Sequence, residues 1–292
     1  MKESVTSTTC MVCGHPVTGR WFENCADYYL QTPFVVDYRE CTVCHLIQQV
    51  PMPTDTSSYY PPDYPMHTGR GMFHARLRKL LIHRIYFVPQ RTAKDTVLLD
   101  YGCGDGSYLQ SIRGRIGRII GFEPSGKRAE QLRSALGCEM YSSLAEASSK
   151  LKSSVDVVTA HFVLEHLTDL DETFRFWGWI LKPGGTVHIA VPNIRSYEAR
   201  LFGKKWHGLD SPRHVSFPED ESLTLLMKKN EFELIEKHCG IFPNLWAASL
   251  ATVLAGRYNH LFFMLLLPLG FILALLMPQD TSVYTMRKFL KY

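Results

Sequence analysis

A short apolar run in the first half of the chain ends in a carboxylate and is followed by a regular series of glycines. Residues 97–99 are apolar, Asp100 follows, and Gly102, Gly104 and Gly106 come at alternate positions. Glycine lets a backbone turn sharply and lets a ligand approach it closely. A strand, a glycine turn and the start of a helix are typical of the first unit of a doubly wound nucleotide-binding sheet.

Two segments have the 3.6-residue apolar period of an amphipathic helix, Gly71 to Val88 and Glu219 to Lys229. The first carries basic residues largely off its apolar face. An ordinary solvated face explains them, and a membrane-surface helix is the alternative. Before this helix, Tyr59, Tyr60 and Tyr64 stand among prolines that break regular structure. These aromatic side chains either cover a ligand pocket or pack the seam between domains.

A long apolar pattern near the end of the chain predicts a helical hairpin. Residues 244–254 are apolar, a polar turn follows at 256–260, and 261–277 contain no charged residue. One crossing of a bilayer needs about 20 apolar residues, so two shorter helices favour a hairpin over 241–278 that enters one leaflet. A hairpin buried in a homodimer interface or over the active site is the alternative.

Composition and charge narrow the class of protein. The 292 residues are 46% hydrophobic and 21% charged, which excludes a disordered chain and allows one large domain with an accessory module. A formal net charge of +4 is too small to indicate a nucleic-acid partner. The polar stretch Met1 to Thr9 predicts no secretory signal, so the eight cysteines favour metal binding in a reducing, cytoplasmic compartment over disulfides.

Four of the cysteines form two CxxC pairs, Cys10 with Cys13 and Cys41 with Cys44. Each pair suits a turn that presents two thiolates to one tetrahedral ion, so the sequence predicts a structural Zn²⁺ in a zinc-ribbon module over 1–50. A segment of this size is too small for its own hydrophobic core, and the ion would supply much of its stability. Four ordinary thiols and a redox CxxC pair are the alternatives.

The glycine spacing and its acidic neighbours indicate which nucleotide the turn suits. Pyrophosphate binders carry G-x-G-x-x-G, whereas this turn is G-x-G-x-G with Asp100 before it and Asp105 within it. Carboxylates beside a pyrophosphate cost Coulomb energy, but they favour a ligand with a sulfonium and an ammonium group, S-adenosylmethionine. Glu123 ends a second strand predicted over 118–122, where a carboxylate can hold a ribose diol through two hydrogen bonds.

The region from Val97 to Gly240 resembles class I S-adenosylmethionine-dependent methyltransferases. The resemblance rests on Asp100 to Gly106, Glu123, His161 to Leu167, Leu181 to Gly185, Pro212-Arg213-His214 and Phe217. It implies an α/β fold, a Rossmann-like seven-stranded doubly wound sheet, whose fourth to seventh strands include 155–158, 186–191, 232–238 and 282–287. The paired CxxC segment resembles the zinc-binding domain of nucleotide-sugar C-methyltransferases. We therefore expect a zinc ribbon at 1–50, a connector at 51–96, a methyltransferase domain at 97–240 plus 279–292, and the hairpin insertion at 241–278.

The predicted site combines chemistry with this resemblance. A base is needed if the acceptor is a hydroxyl or a carbon acid, and we expect His166 to supply it, because histidine titrates near neutrality. Glu165 would orient His166 or bind substrate, with helix N-terminal packing as the alternative. In the acceptor-binding segment, Arg213 would pair with a phosphate or carboxylate, and His214 is the third catalytic candidate. The predicted cofactor ligands are Asp100, Tyr101, Gly102, Cys103, Gly104, Gly106, Glu123, Pro124, Ser143, Leu144 and His161.

The expected activity is in-line methyl transfer from S-adenosylmethionine to a small molecule such as a sugar, a glycan intermediate or a related metabolite. The expected partner is that acceptor, with no nucleic acid. The hairpin adds peripheral contact with the inner face of a membrane or a homodimer interface. A non-catalytic S-adenosylmethionine-binding scaffold is one alternative. An NAD-dependent oxidoreductase is the other, which the glycine spacing and Asp100 disfavour.

Overall fold

The computed structural model describes residues 8–61, 86, 93–277 and 279–290. The basic helix expected at Gly71 to Val88 and the aromatic Tyr64 lie outside these residues, except for Tyr86. The strands in chain order are β1 (Gly19–Ala26), β2 (Val35–Glu40), β3 (Ile47–Val50), β4 (Ala93–Tyr101), β5 (Ile116–Phe122), β6 (Glu139–Tyr141), β7 (Val155–His161), β8 (Leu181–Pro192), β9 (Ser216–Phe217), β10 (Phe232–Gly240) and β11 (Thr281–Lys288). The α-helices are α1 (Ser107–Ile112), α2 (Gly126–Leu136), α3 (Leu144–Leu151), α4 (Leu170–Ile180), α5 (Tyr197–Phe202), α6 (Asp220–Lys229), α7 (Pro243–Ala255) and α8 (His260–Leu276).

The larger sheet confirms the predicted α/β fold. Within the described residues it has seven strands in the order β10-β11-β8-β7-β4-β5-β6. Strands β4 to β8 pair in parallel, and β11 pairs antiparallel with both β8 and β10. The carboxyl ends of the parallel strands meet at one edge, which is where ligands bind in such sheets. The turns after β4, β5 and β7 therefore converge there.

Helix α4 shows how the apolar pattern builds the core on one face of this sheet. Asp169 caps the helix, because its carboxylate accepts a hydrogen bond from the backbone N–H of Glu172 at 2.8 Å. One turn further on, Phe174 and Trp177 are fully buried. Burial of such an aromatic side chain stabilises the fold by about 2–3 kcal/mol. Helix α4 therefore packs its apolar side against one face of the larger sheet.

A smaller sheet joins the amino-terminal module to the methyltransferase region. Strands β1, β2 and β3 pair antiparallel, and β3 then pairs with β9, placing Ile47 opposite Phe217 and Gln48 opposite Ser216. The module expected at 1–50 therefore takes its fourth strand from the region expected at 97–240. This shared sheet ties the chain just before β9 to the module.

Helices α7 and α8 occupy the segment between β10 and β11 for which the sequence predicts an apolar hairpin. Gly256 ends α7 with a φ of 74°, and the side chain of Asn259 caps α8 by accepting from the N–H of Phe262. The two helices are in close contact: a Cβ built at Gly270 would lie 2.8 Å from the carbonyl oxygen of Pro243. Among the helices that the structure describes, none combines the length and apolarity needed to cross a membrane.

Candidate active site

The glycine turn after β4 has a left-handed backbone at each of its three glycines, with φ values of 74° at Gly102, 55° at Gly104 and 72° at Gly106. A Cβ at Gly102 would come within 2.6 Å of the Val163 side chain, and one at Gly106 within 2.7 Å of Leu132. At Gly104 the nearest atom would be 4.0 Å away. The outer glycines are therefore required for packing, whereas Gly104 keeps the space above the turn open.

Asp100 sits buried beneath this turn. Its Oδ1 accepts a hydrogen bond from the hydroxyl of Thr159 at 2.7 Å and lies 4.0 Å from Nδ1 of His161. Burial raises the pKa of the Asp100 carboxyl to about 7 and lowers that of His161 to about 3, so this imidazole is neutral. A cationic ligand at the turn would stabilise the ionised form of Asp100. The site thus suits the ammonium and sulfonium groups of S-adenosylmethionine.

Glu123 lies at the end of the neighbouring strand, in contact with the same turn. Its carboxylate accepts hydrogen bonds from the backbone N–H groups of Ser125, at 3.1 Å, and of Gly104. Burial nevertheless raises the pKa of this carboxyl above its ordinary value. The structure therefore brings the predicted ribose ligand next to Gly104. Pro124 is exposed beside it. Exposed Ser143 stands at the N-cap position of α3, without a capping hydrogen bond from its side chain, and half-buried Leu144 follows.

Two of the predicted cofactor ligands have their side chains in the core. The ring of Tyr101 stacks on that of Phe122, with centroids 4.7 Å apart. The Cys103 side chain packs in a cluster with Leu109 and Met140. Any part that Tyr101 and Cys103 take in cofactor binding therefore falls to their main chains. The side chain of His161 contacts the rings of Tyr86 and Tyr108, with centroids 4.7 and 4.8 Å away.

The three predicted catalytic residues come together. Glu165 and His166 lie on a short 3₁₀ turn, residues 164–166, and Val163 just before them contacts the glycine turn. The ring centroids of His166 and His214 are 4.6 Å apart, and Nε2 of His214 is 3.9 Å from Oε1 of Glu165. A cluster of one carboxyl and two imidazoles thus stands directly beside the cofactor edge.

The hydrogen bonds of the two histidines assign their tautomers. Nδ1 of His166 is 3.1 Å from the carbonyl oxygen of Arg213, and Nδ1 of His214 is 2.9 Å from that of Gly208. A carbonyl oxygen only accepts, so Nδ1 carries the proton in both rings and Nε2 has the free electron pair. Burial lowers the pKa of both imidazoles. Both are therefore neutral at pH 7, with a free electron pair on Nε2.

Glu165 is fully buried, and neither of its carboxylate oxygens has a hydrogen-bond partner among the described residues. Burial raises its pKa to about 8, so the carboxyl holds a proton at neutral pH. One ligand atom each from Glu165, His166 and His214 lie within 4.8 Å of one another. A carboxylate and two imidazoles are also a donor set that suits a divalent transition-metal ion.

Arg213 does not face a ligand, and the expectation that it would pair with one is wrong. Its guanidinium is fully buried and donates to both oxygens of Asp27, at 2.7 and 2.9 Å, and to Asp210 at 2.7 Å. These two carboxylates neutralise the charge and satisfy all three guanidinium nitrogens. Arg213 instead fixes the backbone that leads to His214, and it joins that backbone to the amino-terminal module through Asp27.

Two further residues of the module hold the same backbone and were missed by the sequence analysis. The buried hydroxyl of Tyr38 donates to the carbonyl oxygen of His214 at 2.7 Å, and the Gln49 amide donates to that of Pro212 at 2.5 Å. Tyr60, one of the connector tyrosines, places its hydroxyl 3.0 Å from Nδ1 of His166. No local pattern distinguishes Tyr38 and Gln49 from ordinary core positions, whereas Tyr60 is one of the aromatic residues that the sequence predicts at a ligand pocket or a domain seam.

The predicted cysteine cluster assembles in the module. The sulfur atoms of Cys10 and Cys44 are 3.4 Å apart, as are those of Cys13 and Cys41, and all four lie within 4.8 Å of one another. Zinc thiolate bonds of about 2.3 Å in a tetrahedron place neighbouring sulfurs at about 3.8 Å. The four thiols therefore fit a closed zinc site.

Comparison with known proteins gives one family and several distant relatives. Residues 73–237 match the family described as a methyltransferase domain. A ubiquinone biosynthesis O-methyltransferase of Brucella anthropi is 26% identical over 151 residues, which cover 48% of this chain and 61% of that protein. The chain thus matches less than two thirds of this relative's length.

Solved structures with a similar chain path are more distant still. A geranyl diphosphate methyltransferase in complex with SAM is 14% identical with a TM-score of 0.48, over 73% of this chain and 85% of that one. The YcgJ protein from Bacillus is 13% identical with a TM-score of 0.47, over 75% of this chain and all of that one.

Proposed function

Because this chain belongs to the methyltransferase-domain family, we propose that it is an S-adenosylmethionine-dependent enzyme that methylates an oxygen or carbon nucleophile of a small molecule, with His166 as the base. The observation that carries this proposal is the pair of neutral imidazoles beside the cofactor edge. In particular, the unprotonated Nε2 of His166 can accept the proton of the nucleophile.

The cofactor end of the site is built for a cation. S-adenosylmethionine supplies a methyl group on a sulfonium, which leaves a neutral thioether behind. Asp100 would stabilise the positive charge from below the turn, Gly104 would leave room for the ligand, and the Glu123 carboxylate would hold the ribose hydroxyls. The protein's main task is then to align nucleophile, methyl carbon and sulfur.

The acceptor end is enclosed by residues 206–217. The Nδ1–H of His166 donates to Arg213, which fixes the ring so that Nε2 is the basic nitrogen. His214 packs against the same ring, with the two ring centroids 4.6 Å apart. Glu165, protonated at neutral pH, leaves the cluster without a net negative charge that would repel an anionic nucleophile.

A small-molecule acceptor agrees with the net charge of +4 and with the named activity of the Brucella relative, an O-methyltransferase of ubiquinone biosynthesis. A sugar, a glycan intermediate or a related metabolite is the class that we propose. The four cysteines would hold a structural Zn²⁺, whose closed shell of thiolates leaves no position for substrate.

Calorimetric titration with S-adenosylhomocysteine tests the cofactor site. Gly104→Val places a side chain in the ligand's space, a clash of about 1–3 kcal/mol, so we expect the dissociation constant to rise about ten- to a hundredfold. Gly114→Val is the matched control, because Gly114 also has a positive φ, 80°, and open space at its Cβ. Equal binding by the wild type and both variants would sink this assignment.

A divalent cation in the cluster of Glu165, His166 and His214 is the second candidate, favoured by their mutual distances below 4.8 Å. Two Zn²⁺ ions per chain by elemental analysis, of which Glu165→Gln loses one together with turnover while the ion of the four cysteines and the affinity for S-adenosylhomocysteine stay unchanged, would show that a metal rather than a base acts here. Cofactor binding without turnover on any small acceptor would favour a scaffold protein.

A further inference from the structure

Helix α8 has an apolar face that no described part of the chain covers. Leu261, Leu265 and Leu276 are 67%, 68% and 71% exposed. At about 100° per residue, the exposed positions occupy an arc of about 160° around the helix, and the buried Phe263, Gly270 and Ala274 lie opposite. The exposed positions within α8 that follow His260 are Leu261, Phe262, Met264, Leu265, Pro268, Leu269, Ile272, Leu275 and Leu276. A helix on a water-facing surface carries polar residues on this side, and α8 carries none.

The whole hairpin is also free of negative charge. Residues 241–277 contain no aspartate or glutamate, and Arg257, in the turn between the helices, is their one arginine or lysine. Arg257 is exposed at the end where α8 begins. No carboxylate of the hairpin would therefore be repelled by an anionic membrane surface.

Helix α5 extends this surface and gives it a basic edge. Phe202, at the end of α5, packs on the cluster formed by Trp246 of α7 and Ala274 of α8. The neighbouring Leu201 of α5 is exposed, as are Arg200 and Lys204. Exposed basic residues therefore lie both on and just after α5, which packs on the hairpin, and in the turn between its two helices.

We propose that α8 inserts into one leaflet of a membrane that contains anionic lipids, with Arg200, Lys204 and Arg257 at the headgroups. The apolar arc is wider than the stripe of about 100° that a packed helix buries, and the acyl region can cover such an arc whole. The basic side chains at the edge of this apolar face are stabilised by anionic headgroups. In a symmetric homodimer, by contrast, the same patch meets its own copy and brings like charges together.

Docking in this way would bring the acceptor segment close to the bilayer. The Ser249 hydroxyl of α7 accepts from the backbone N–H of His207 at 2.9 Å, and the ring of Tyr258 stacks on that of His207 with centroids 5.4 Å apart. The hairpin is thus fastened to the segment that ends at His214. It would orient the active site toward the membrane surface.

Flotation of the full-length protein with vesicles tests the proposal. We expect it to float with phosphatidylcholine vesicles that contain phosphatidylglycerol and to float less with phosphatidylcholine alone. Leu261→Gln with Leu265→Gln removes apolar surface from the face and should lower the bound fraction about tenfold or more. The matched control is Leu225→Gln with Leu234→Gln, since both leucines are exposed but lie on α6 and β10. Arg257→Gln with Lys204→Gln should remove the preference for the anionic vesicles.

A second measurement reports insertion of α8 directly, as a change above the constant signal of the five native tryptophans. Tryptophan introduced as Phe262→Trp should be quenched by lipids brominated on their acyl chains, whereas Leu225→Trp should not. Protein that stays out of the vesicle fraction, or an Leu261→Gln and Leu265→Gln protein that changes from dimer to monomer with no loss of flotation, would overturn the proposal. Flotation needs no acceptor and no cofactor, so its outcome is independent of the proposed chemistry.

Discussion

At the scale of single residues, the site depends on buried groups held in their neutral forms. The carbonyl oxygens of Arg213 and Gly208 fix the tautomers of His166 and His214, and burial keeps both rings uncharged. Glu165 is neutral for the same reason. The cluster can therefore take up a proton during turnover without first losing one.

Asp280 offers a test of how burial shifts a carboxyl on this chain. It lies before β11, accepts hydrogen bonds from the backbone N–H of Phe242 at 2.9 and 3.1 Å, and has a pKa raised by burial from 3.8 to about 7. The folded state then binds this proton more tightly than the unfolded state, so the carboxyl's contribution to stability is lost as pH rises between these values. One pKa unit corresponds to about 1.4 kcal/mol.

Asp280→Asn keeps an oxygen acceptor for Phe242 but cannot ionise. We expect the variant to gain a few kcal/mol relative to wild type between about pH 4 and pH 7, measured as the difference in free energy of unfolding by urea at several pH values. Gln279→Asn, which changes no charge at an exposed position next to Asp280, is the control that should show no such trend. A pH-independent difference for Asp280→Asn would refute the assigned shift.

At the scale of elements, the segment that ends at His214 leads directly into β9, a strand of the smaller sheet. The pairing of β3 with β9, together with Tyr38 and Gln49, holds the backbone from Pro212 to His214 against the amino-terminal module. The buried salt bridge between Arg213 and Asp27 also holds this backbone against the module. The module is thus part of the wall of the active site, and its order determines where His214 stands.

Removal of the proposed zinc should therefore reduce turnover, although the ion touches no substrate. We expect Cys13→Ser with Cys41→Ser to lose bound zinc and to lower both the unfolding temperature and the methyl-transfer rate. Cys239→Ser, at an exposed cysteine outside the cluster, should change neither. Metal content by elemental analysis, thermal unfolding and turnover measured on the same samples decide this. Full activity in the zinc-free double variant would show that the module does not position His214.

At the scale of the whole molecule, local signals and long-range contacts differ in what the sequence reveals. The turn of Gly102, Gly104 and Gly106 was predictable, because the backbone has a positive φ at each of these three positions and glycine adopts it most readily. The helical hairpin was visible in its uncharged length. The contacts of Tyr38 and Gln49 with residues 212–214 were not, since they join segments far apart in the chain through ordinary core residue types.

The misplaced expectation for Arg213 has the same origin. A lone arginine on a polar segment looks free to bind an anion, but its partner Asp27 lies in the amino-terminal module, 186 positions away in sequence. Only the shared sheet brings the two together. The charge of Arg213 alone thus led to a wrong prediction, whereas the glycines predicted the backbone geometry of their turn.

In the proposed mechanism, His166 accepts the proton from the nucleophile, whereas the glycine turn and Glu123 hold the cofactor. The variant His166→Ala therefore separates catalysis from cofactor binding. Single-turnover methyl transfer to the best acceptor from a panel of small hydroxyl and carbon acids would be measured beside calorimetric titration with S-adenosylhomocysteine. We expect the rate to fall about 10²–10⁴-fold, with unchanged affinity for S-adenosylhomocysteine. An unchanged rate would contradict it.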